Sequence, residues 1–380
     1  MKYFPKFGLS ALLALFTISG MAQTAESVNI VSTAVPFLRI SPDARAGGMG
    51  DAGIASTPDA NAPFWNLAKV LAAPKRSAIA FNYTPWLKDL GLNDVYLANM
   101  AAYHKLDDEQ AISTSMRFFS LGNIQLTDYS GNPLFNTKPT EFSIDAGYSR
   151  KISSKLNIGV ALRYINSRLV VGDYNGVSYK AGNALAGDVS LFYNGLNSSG
   201  EGWNWGVTLS NLGSKISYTN DARNKDYIPA NLGIGGAYTK VFDESNKLNI
   251  ALDINKLLVP AAPQATGNPS ADSARLADFR SSGVVSSWLK SFHDGTNQLS
   301  SLQFSLGAEY SYNDQFFLRA GYFYEDKSRG NRKYITLGAG FHYDFVQINF
   351  SYLAPQGSGI TRNPLSNTLR LGLVFNIGKE

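Results

Sequence analysis

Apolar and polar positions alternate with a period of two along most of this chain. The pattern is sharpest between Lys333 and Tyr352, where Ile335, Leu337, Ala339, Phe341 and Tyr343 form one row and Tyr334, Thr336, Gly338, Gly340 and His342 the other. After a tight turn at Asp344, Val346, Ile348, Phe350 and Tyr352 alternate with Gln347, Asn349 and Ser351. Period two sends successive side chains to opposite faces of a strand. Here one face is greasy and the other small or polar, with aromatics where the apolar row meets the turn. A transmembrane hairpin with lipid outside and a polar lumen inside has this pattern. In hydrocarbon every backbone N–H and C=O needs a protein partner, so such strands must close on themselves.

One hairpin decides little, because a soluble sandwich alternates too; recurrence carries the argument. From residue 76 onward, strands are predicted at about 76–86, 93–104, 110–121, 140–151, 155–170, 183–194, 202–212, 228–242, 247–258, 299–312, 315–324, 333–343, 345–353 and 366–377. Their connections alternate between short (105–109, 152–154, 195–201, 243–246, 313–314 and 344) and long (87–92, 122–139, 171–182, 213–227, 259–298, 325–332 and 354–365). Short periplasmic turns with long extracellular loops are a barrel habit that a sandwich has no reason to keep. The expected fold is therefore all-β: a transmembrane antiparallel barrel of about 14 strands, with both chain ends in the periplasm.

Outward rows such as Phe142/Ile144/Ala146/Tyr148, Leu156/Ile158/Val160/Leu162/Tyr164, Leu248/Ile250/Leu252/Ile254 and Leu369/Leu371/Leu373/Phe375 are apolar. The opposing rows carry Asp145, Arg163, Asp188, Asp253, Glu309, Arg319 and Arg370. Lys or Arg at a lipid midplane costs about 2–4 kcal/mol, so charge on one row alone specifies the register. Tyr103, Tyr148, Tyr193, Trp203, Tyr238, Tyr343 and Phe345 are expected in one aromatic girdle, and Trp86, Tyr96, Tyr164, Tyr324, Tyr334 and Tyr352 in the other.

The rest divides into two segments. Residues 1–22 read as a secretory signal: Lys2 and Lys6, an apolar run over 8–18, and the small-x-small site Gly20-Met21-Ala22, with cleavage between Ala22 and Gln23. The run is shorter than the roughly 20 residues a helical span needs. Residues 23–75 lack sustained periodicity and are expected to form a periplasmic or plug segment ahead of an outer-membrane barrel over 76–380. The small residues of that segment would let it lie inside the barrel or against its floor. In the longest loop, Pro260 and Pro263 break the strand, and one or two short helices are expected over 271–293. Trp288 and Phe292 there suggest packing on the rim or on a partner.

Composition narrows the chemistry. There is no cysteine, hence no thiolate metal site and no Cys nucleophile. The net charge of +5 is too dispersed to indicate nucleic acid. Gly48, Gly50 and Gly53 match G-x-G-x-x-G, but the preceding Pro42-Asp43-Ala44-Arg45 is not the strand that a dinucleotide site requires. His104, His293 and His342 are too dispersed for one metal, and His342 reads as a rim or lumen histidine rather than a triad member. Asp43 and Arg45 read as a local ion pair. Neither a catalytic group, a metal nor a cofactor is expected.

The run from Ser41 to Asn66, with Asp43, Arg45, Gly47, Gly48, Met49, Gly50, Asp51, Trp65 and Asn66, together with Asp253 to Pro260 and the barrel pattern, resembles the PorV (LptO) family of type IX secretion proteins, within the FadL-like barrel superfamily. Members usually carry proline where Leu67 stands. The resemblance implies a fourteen-stranded outer-membrane barrel that is not itself the pore for cargo. It implies binding to a large translocon barrel (of the SprA or Sov kind) and receipt of secreted cargo by its C-terminal domain. It further implies delivery to a surface sortase (of the PorU kind), contact with membrane lipid or lipopolysaccharide, and no nucleic acid. The other readings are a FadL-like channel for hydrophobic small molecules and a factor in lipopolysaccharide deacylation.

Overall fold

The computed structural model describes residues 30–378 apart from 129, 175, 222–224, 294–297 and 356–366. Fourteen long strands form the wall: β1 (Ser77–Pro85), β2 (Val95–Lys105), β3 (Gln110–Leu121), β4 (Thr140–Lys151), β5 (Leu156–Arg168), β6 (Gly182–Leu196), β7 (Gly202–Gly213), β8 (Asn231–Val241), β9 (Asn246–Leu257), β10 (Leu302–Tyr312), β11 (Phe316–Glu325), β12 (Lys333–Tyr343), β13 (Val346–Pro355) and β14 (Thr368–Ile377). Each pairs antiparallel with its sequence neighbours, and β1 pairs with β14, closing the barrel. Every window read from the alternation overlaps one of these strands, with ends that differ by up to three residues. Small hairpins stand in two of the long loops, Ile124–Thr127 with Pro133–Thr137 and Gly172–Tyr174 with Val177–Tyr179. The leader residues, with Ala22 and Gln23, lie outside the described residues, as does most of the connection after β13.

The two faces separate as period two demands. Outward Leu162 is 77% exposed and Leu318 64%, whereas inward Asp145, Arg163, Asp253, Glu309, Arg319 and Arg370 are all buried. Parity breaks once. Ser210 and Asn211 of β7 together face Asp188 of β6, and Asn211 takes φ +56. This bulge turns Asn211 inward, where its backbone N–H donates to Asp188 Oδ1 at 2.7 Å and its side chain accepts from Arg163.

Residues 30–76 fill the lumen. Ala34 N–H donates to Tyr227 O (2.9 Å) at the long-loop end, where Val35, Phe37 and Leu38 pack with Trp86, Phe119, Ile216 and Ile228. The chain then descends through α1 (Ala44–Gly47), α2 (Ala62–Trp65) and a 3-10 stretch, Leu67–Ala72, to Ala73 beside Tyr103 and Val374 at the short-turn end. The described start of the chain is thus at the opposite end of the barrel from β1. An even strand count places the start of β1 and the end of β14 together, but a segment threaded back through the lumen escapes that rule.

Three predicted girdle aromatics turn inward instead. Tyr103, Trp86 and Tyr334 are 4%, 8% and 2% exposed, because each lies on the inward side of its strand and meets the lumen segment or its collar. The exposed girdle residues include Tyr193, Trp203, Tyr343 and Phe345 at the short-turn end, and Tyr164 and Tyr352 at the other.

Candidate functional site

Where the lumen segment meets the wall, the contacts are polar, short and buried. Asp43 caps α1, accepting from Ala46 N at 2.8 Å, and its other oxygen accepts from Trp65 Nε1 at 2.5 Å. It does not pair with Arg45, contrary to the reading from sequence. Arg45 reaches across the lumen to Glu309 of β10 with two donors, at 2.9 and 2.6 Å, and lies 3.3 Å from Asp59. Glu309 also accepts from Arg319 of β11 at 2.6 Å. One buried carboxylate is therefore clasped between a lumen-segment cation and a wall cation, the bidentate geometry that makes Arg–carboxylate contacts strong.

Asp51 accepts from Tyr334 Oη at 2.7 Å and pairs with Arg370 at 3.3 Å. Asp253 of β9 accepts the backbone N–H groups of both Gly53 and Ile54 on Oδ2, at 2.6 and 2.8 Å. All three G-x-G-x-x-G glycines meet the wall, and Gly53 spends its N–H there rather than on a phosphate. Asn66 donates to Ile54 O (3.2 Å) and Leu191 O (2.9 Å) and accepts from Ala68 N (3.1 Å). Lys69 is 2% exposed; its ammonium reaches Gly53 O at 2.5 Å and Ser56 Oγ at 3.2 Å, and burial pulls it down to about 8. Asn82, Asn99 and Arg117 of β1, β2 and β3 bond the segment near Ala44, Pro42 and Leu38. At Leu67 the 3-10 stretch begins, with Asn66 as its cap.

Glycine allows this approach. A Cβ on Gly321 of β11 would lie 2.0 Å from Gly50 N, and one on Gly307 would lie 2.4 Å from Met49 O. Gly50 itself has φ +66 and is pressed against Tyr322 and Leu306 backbone. Met49 is buried against Ala52, Ala237 and Ala251, and Gly47 and Gly48 lie against Arg370 and Gly338. All nine motif residues therefore serve one junction. The sequence reading missed their wall partners as partners, although Asp253, Glu309, Arg319 and Arg370 had already stood out as inward charges. Lys69 had no signal beyond its place after Trp65.

Between segment and wall a cavity of about 120 Å³ remains, and Arg39, Arg117, Arg163, Arg332, Asp188 and Tyr334 contribute to its lining. Arg163 is held by Asp145 (2.6 Å) and Asp188 (2.8 Å). The space left in the lumen is small and charged. The histidines stay apart: His104 lies 2.7 Å from Ser77 Oγ and His342 3.2 Å from Asp314 O. Among the described residues no cluster of three or more His, Cys, Asp or Glu has metal-site geometry.

At the long-loop end, the connection from β9 to β10 carries α3 (Pro269–Ser281) and α4 (Val284–Lys290). It docks on Tyr227, whose hydroxyl lies 3.1 Å from Phe279 O and 3.2 Å from Ser282 O and accepts from Ser287 Oγ at 2.6 Å. Lys215 adds donors to Arg280 O and Ser282 O at 2.7 and 2.8 Å. Trp288 is half-buried and Phe292 is 37% exposed.

Comparison with solved structures finds the same barrel. A TodX monoaromatic hydrocarbon channel mutant (deltaS2S3) matches with a TM-score of 0.51 and 14% identity, covering 88% of this chain and 99% of its own. The CymD monoaromatic hydrocarbon channel gives 0.52 and 13%, covering 88% and 97%. A Pseudomonas aeruginosa FadL homologue gives 0.47 and 12%, covering 93% and 100%. A search of curated proteins finds no match. Residues 23–264 match the family described as type IX secretion system protein PorV. With well over half of its length matched by that family, this chain belongs to the PorV family.

Proposed function

We propose that the protein is an outer-membrane carrier of the type IX secretion system. It binds a large translocon barrel, receives exported cargo by its C-terminal signal domain, and passes it to the sortase complex at the cell surface. In this reading residues 1–22 are removed on export, residues 23–75 form the plug, and the long-loop end faces the cell exterior. The observation that carries it is the occupied lumen. A barrel filled by its own buried, ion-paired segment offers cargo no path through its centre, so the work falls to its outer rim. The loops at 122–139, 169–181, 214–230 and 258–301 supply that rim, with shape and polar complementarity setting recognition.

The hydrocarbon channels share the fold and favour a second reading, conduction of small apolar molecules. The charged 120 Å³ remnant of the lumen weighs against it. A deacylating role would have to centre on His342 or His104, whose neighbours are a backbone carbonyl and a serine at the short-turn end.

Purification from native membranes in mild detergent tests all three. Co-elution with a giant barrel and with proteins bearing C-terminal signal domains is expected. Bound apolar ligand without those partners would favour the channel, and lipid deacylation lost in His342→Ala would favour the enzyme. A deletion strain that still displays every sorted surface protein would sink the carrier reading.

A further inference from the structure

Helix α4 is built inside out. Ser287 and Ser291 are fully buried against the rim, Ser287 through its 2.6 Å bond to Tyr227. The opposite side carries Val285 at 63% exposure and Leu289 at 68%, followed in the turn just past the helix by Phe292 at 37%. Their i, i+4, i+7 spacing makes one continuous stripe. A helix over water would show its serines and bury that stripe.

The neighbours of the stripe say what it faces. Phe292 lies over Lys256 Nζ, 5.0 Å from its ring centre, and Lys256 is only 6% exposed. Lys256 belongs to the outward row of β9, two residues beyond Ile254, and pairs across the sheet with Leu232 and Leu302, which share that outward face. Phe292 therefore lies over the upper end of the outward row of β9. Leu299, 71% exposed, extends the apolar surface toward the head of β10, and exposed Lys290 closes the helix. An apolar stripe continuous with the lipid-facing wall, with an exposed lysine beside it, is how interfacial helices are made.

We propose that α4 is an interfacial anchor, its Val285–Leu289–Phe292 stripe sunk in the outer leaflet of the membrane and Lys290 at the depth of the anionic headgroups. The anchor fixes the rim loop sideways over lipid. The proposal needs only that the barrel spans a membrane, and stands apart from the transport reading.

The chain has no cysteine, so single labels are clean. Val285→Cys and Leu289→Cys, each carrying a nitroxide, are placed in nanodiscs of phosphatidylethanolamine and phosphatidylglycerol. Leu252→Cys on the outward wall and Ser130→Cys in an exposed hairpin serve as references. Collisions with oxygen and with a water-soluble nickel chelate are compared, and folding is checked by heat-dependent gel mobility. The expected result is a shift of both α4 labels toward the Leu252→Cys ratio. A ratio equal to that of Ser130→Cys overturns the proposal. So does a water-like ratio that falls only when secretion partners are added, which would assign the stripe to a protein.

Discussion

Residues 30–76 and residues 258–301 are stretches of similar length without barrel strands, and they meet the wall in opposite ways. The lumen segment buries charge: Arg45 and Lys69 are 9% and 2% exposed, each bonded to groups on facing elements or on its own turns. The rim loop buries serine and exposes Val285 and Leu289. Residue type alone does not choose the buried side; the wall opposite does. The lumen wall offers Glu309 and Asp253 to the segment's donors and Arg370 to its Asp51, and buried charges are stable only when so paired. The outer edge offers Leu232, Leu302 and a masked lysine.

The change expected to do most damage is Glu309→Ala, because it takes the shared carboxylate from two buried cations, Arg45 and Arg319, and leaves Arg45 with Asp59 alone as a carboxylate partner. Removing one partner of a buried pair costs about 3–5 kcal/mol. The denaturant midpoint of the barrel should fall accordingly, and the protein in planar bilayers should pass ions where the native form is silent. An unchanged midpoint with silent bilayers would mean the segment is held by something other than this clasp.

Gly321→Ala attacks the same junction by volume. Its new methyl would fall 2.0 Å from Gly50 N, backbone that cannot swing away. Overpacking of this kind costs about 1–3 kcal/mol. The check is again the midpoint, with Gly283→Ala as a control whose new methyl meets nothing closer than Ser286 Oγ at 3.6 Å. If the two variants behave alike, close approach at Gly321 is not what holds the segment in place.

Much of this was legible beforehand, for a physical reason. Alternation is local, and a lipid-facing row tolerates so little charge that Asp145, Arg163 and Glu309 had to point inward. The short and long connections then set the ends of the barrel. The partnerships were not legible. Arg45 and Glu309 are separated by most of the chain, so their meeting depends on a threaded path that no local pattern encodes. Tyr103, Trp86 and Tyr334 were misplaced for the same reason. An aromatic at a strand end reads as a girdle residue until something inside the lumen is known to want it. The bulge at Asn211 was hidden too, since one left-handed asparagine leaves no mark in the alternation.

A milder change on the lumen side is Asp253→Asn. The amide oxygen can still accept from Gly53 and Ile54, so only the charge assistance of two bonds is lost. A loss of about 1 kcal/mol is expected, visible as faster hydrogen exchange at those two amides with the midpoint little moved. Exchange as slow as in the native protein would make the carboxylate's charge irrelevant to the contact.

The smallest effect belongs on the rim, and it sharpens the comparison by being confined there. Tyr227→Phe removes the hydroxyl that joins Phe279, Ser282 and Ser287, while Ser287 keeps Gly283 O as an acceptor at 2.8 Å. The loop should loosen by about 1 kcal/mol, which is roughly a fivefold rise in cleavage between β9 and α3 by an added protease. The barrel midpoint should stay where it is, because no lumen ion pair passes through the Tyr227 hydroxyl. If the midpoint moves as far as it does in Gly321→Ala, the rim and the lumen segment are one cooperative unit. In that case the bond from Ala34 N to Tyr227 O is the link that joins them.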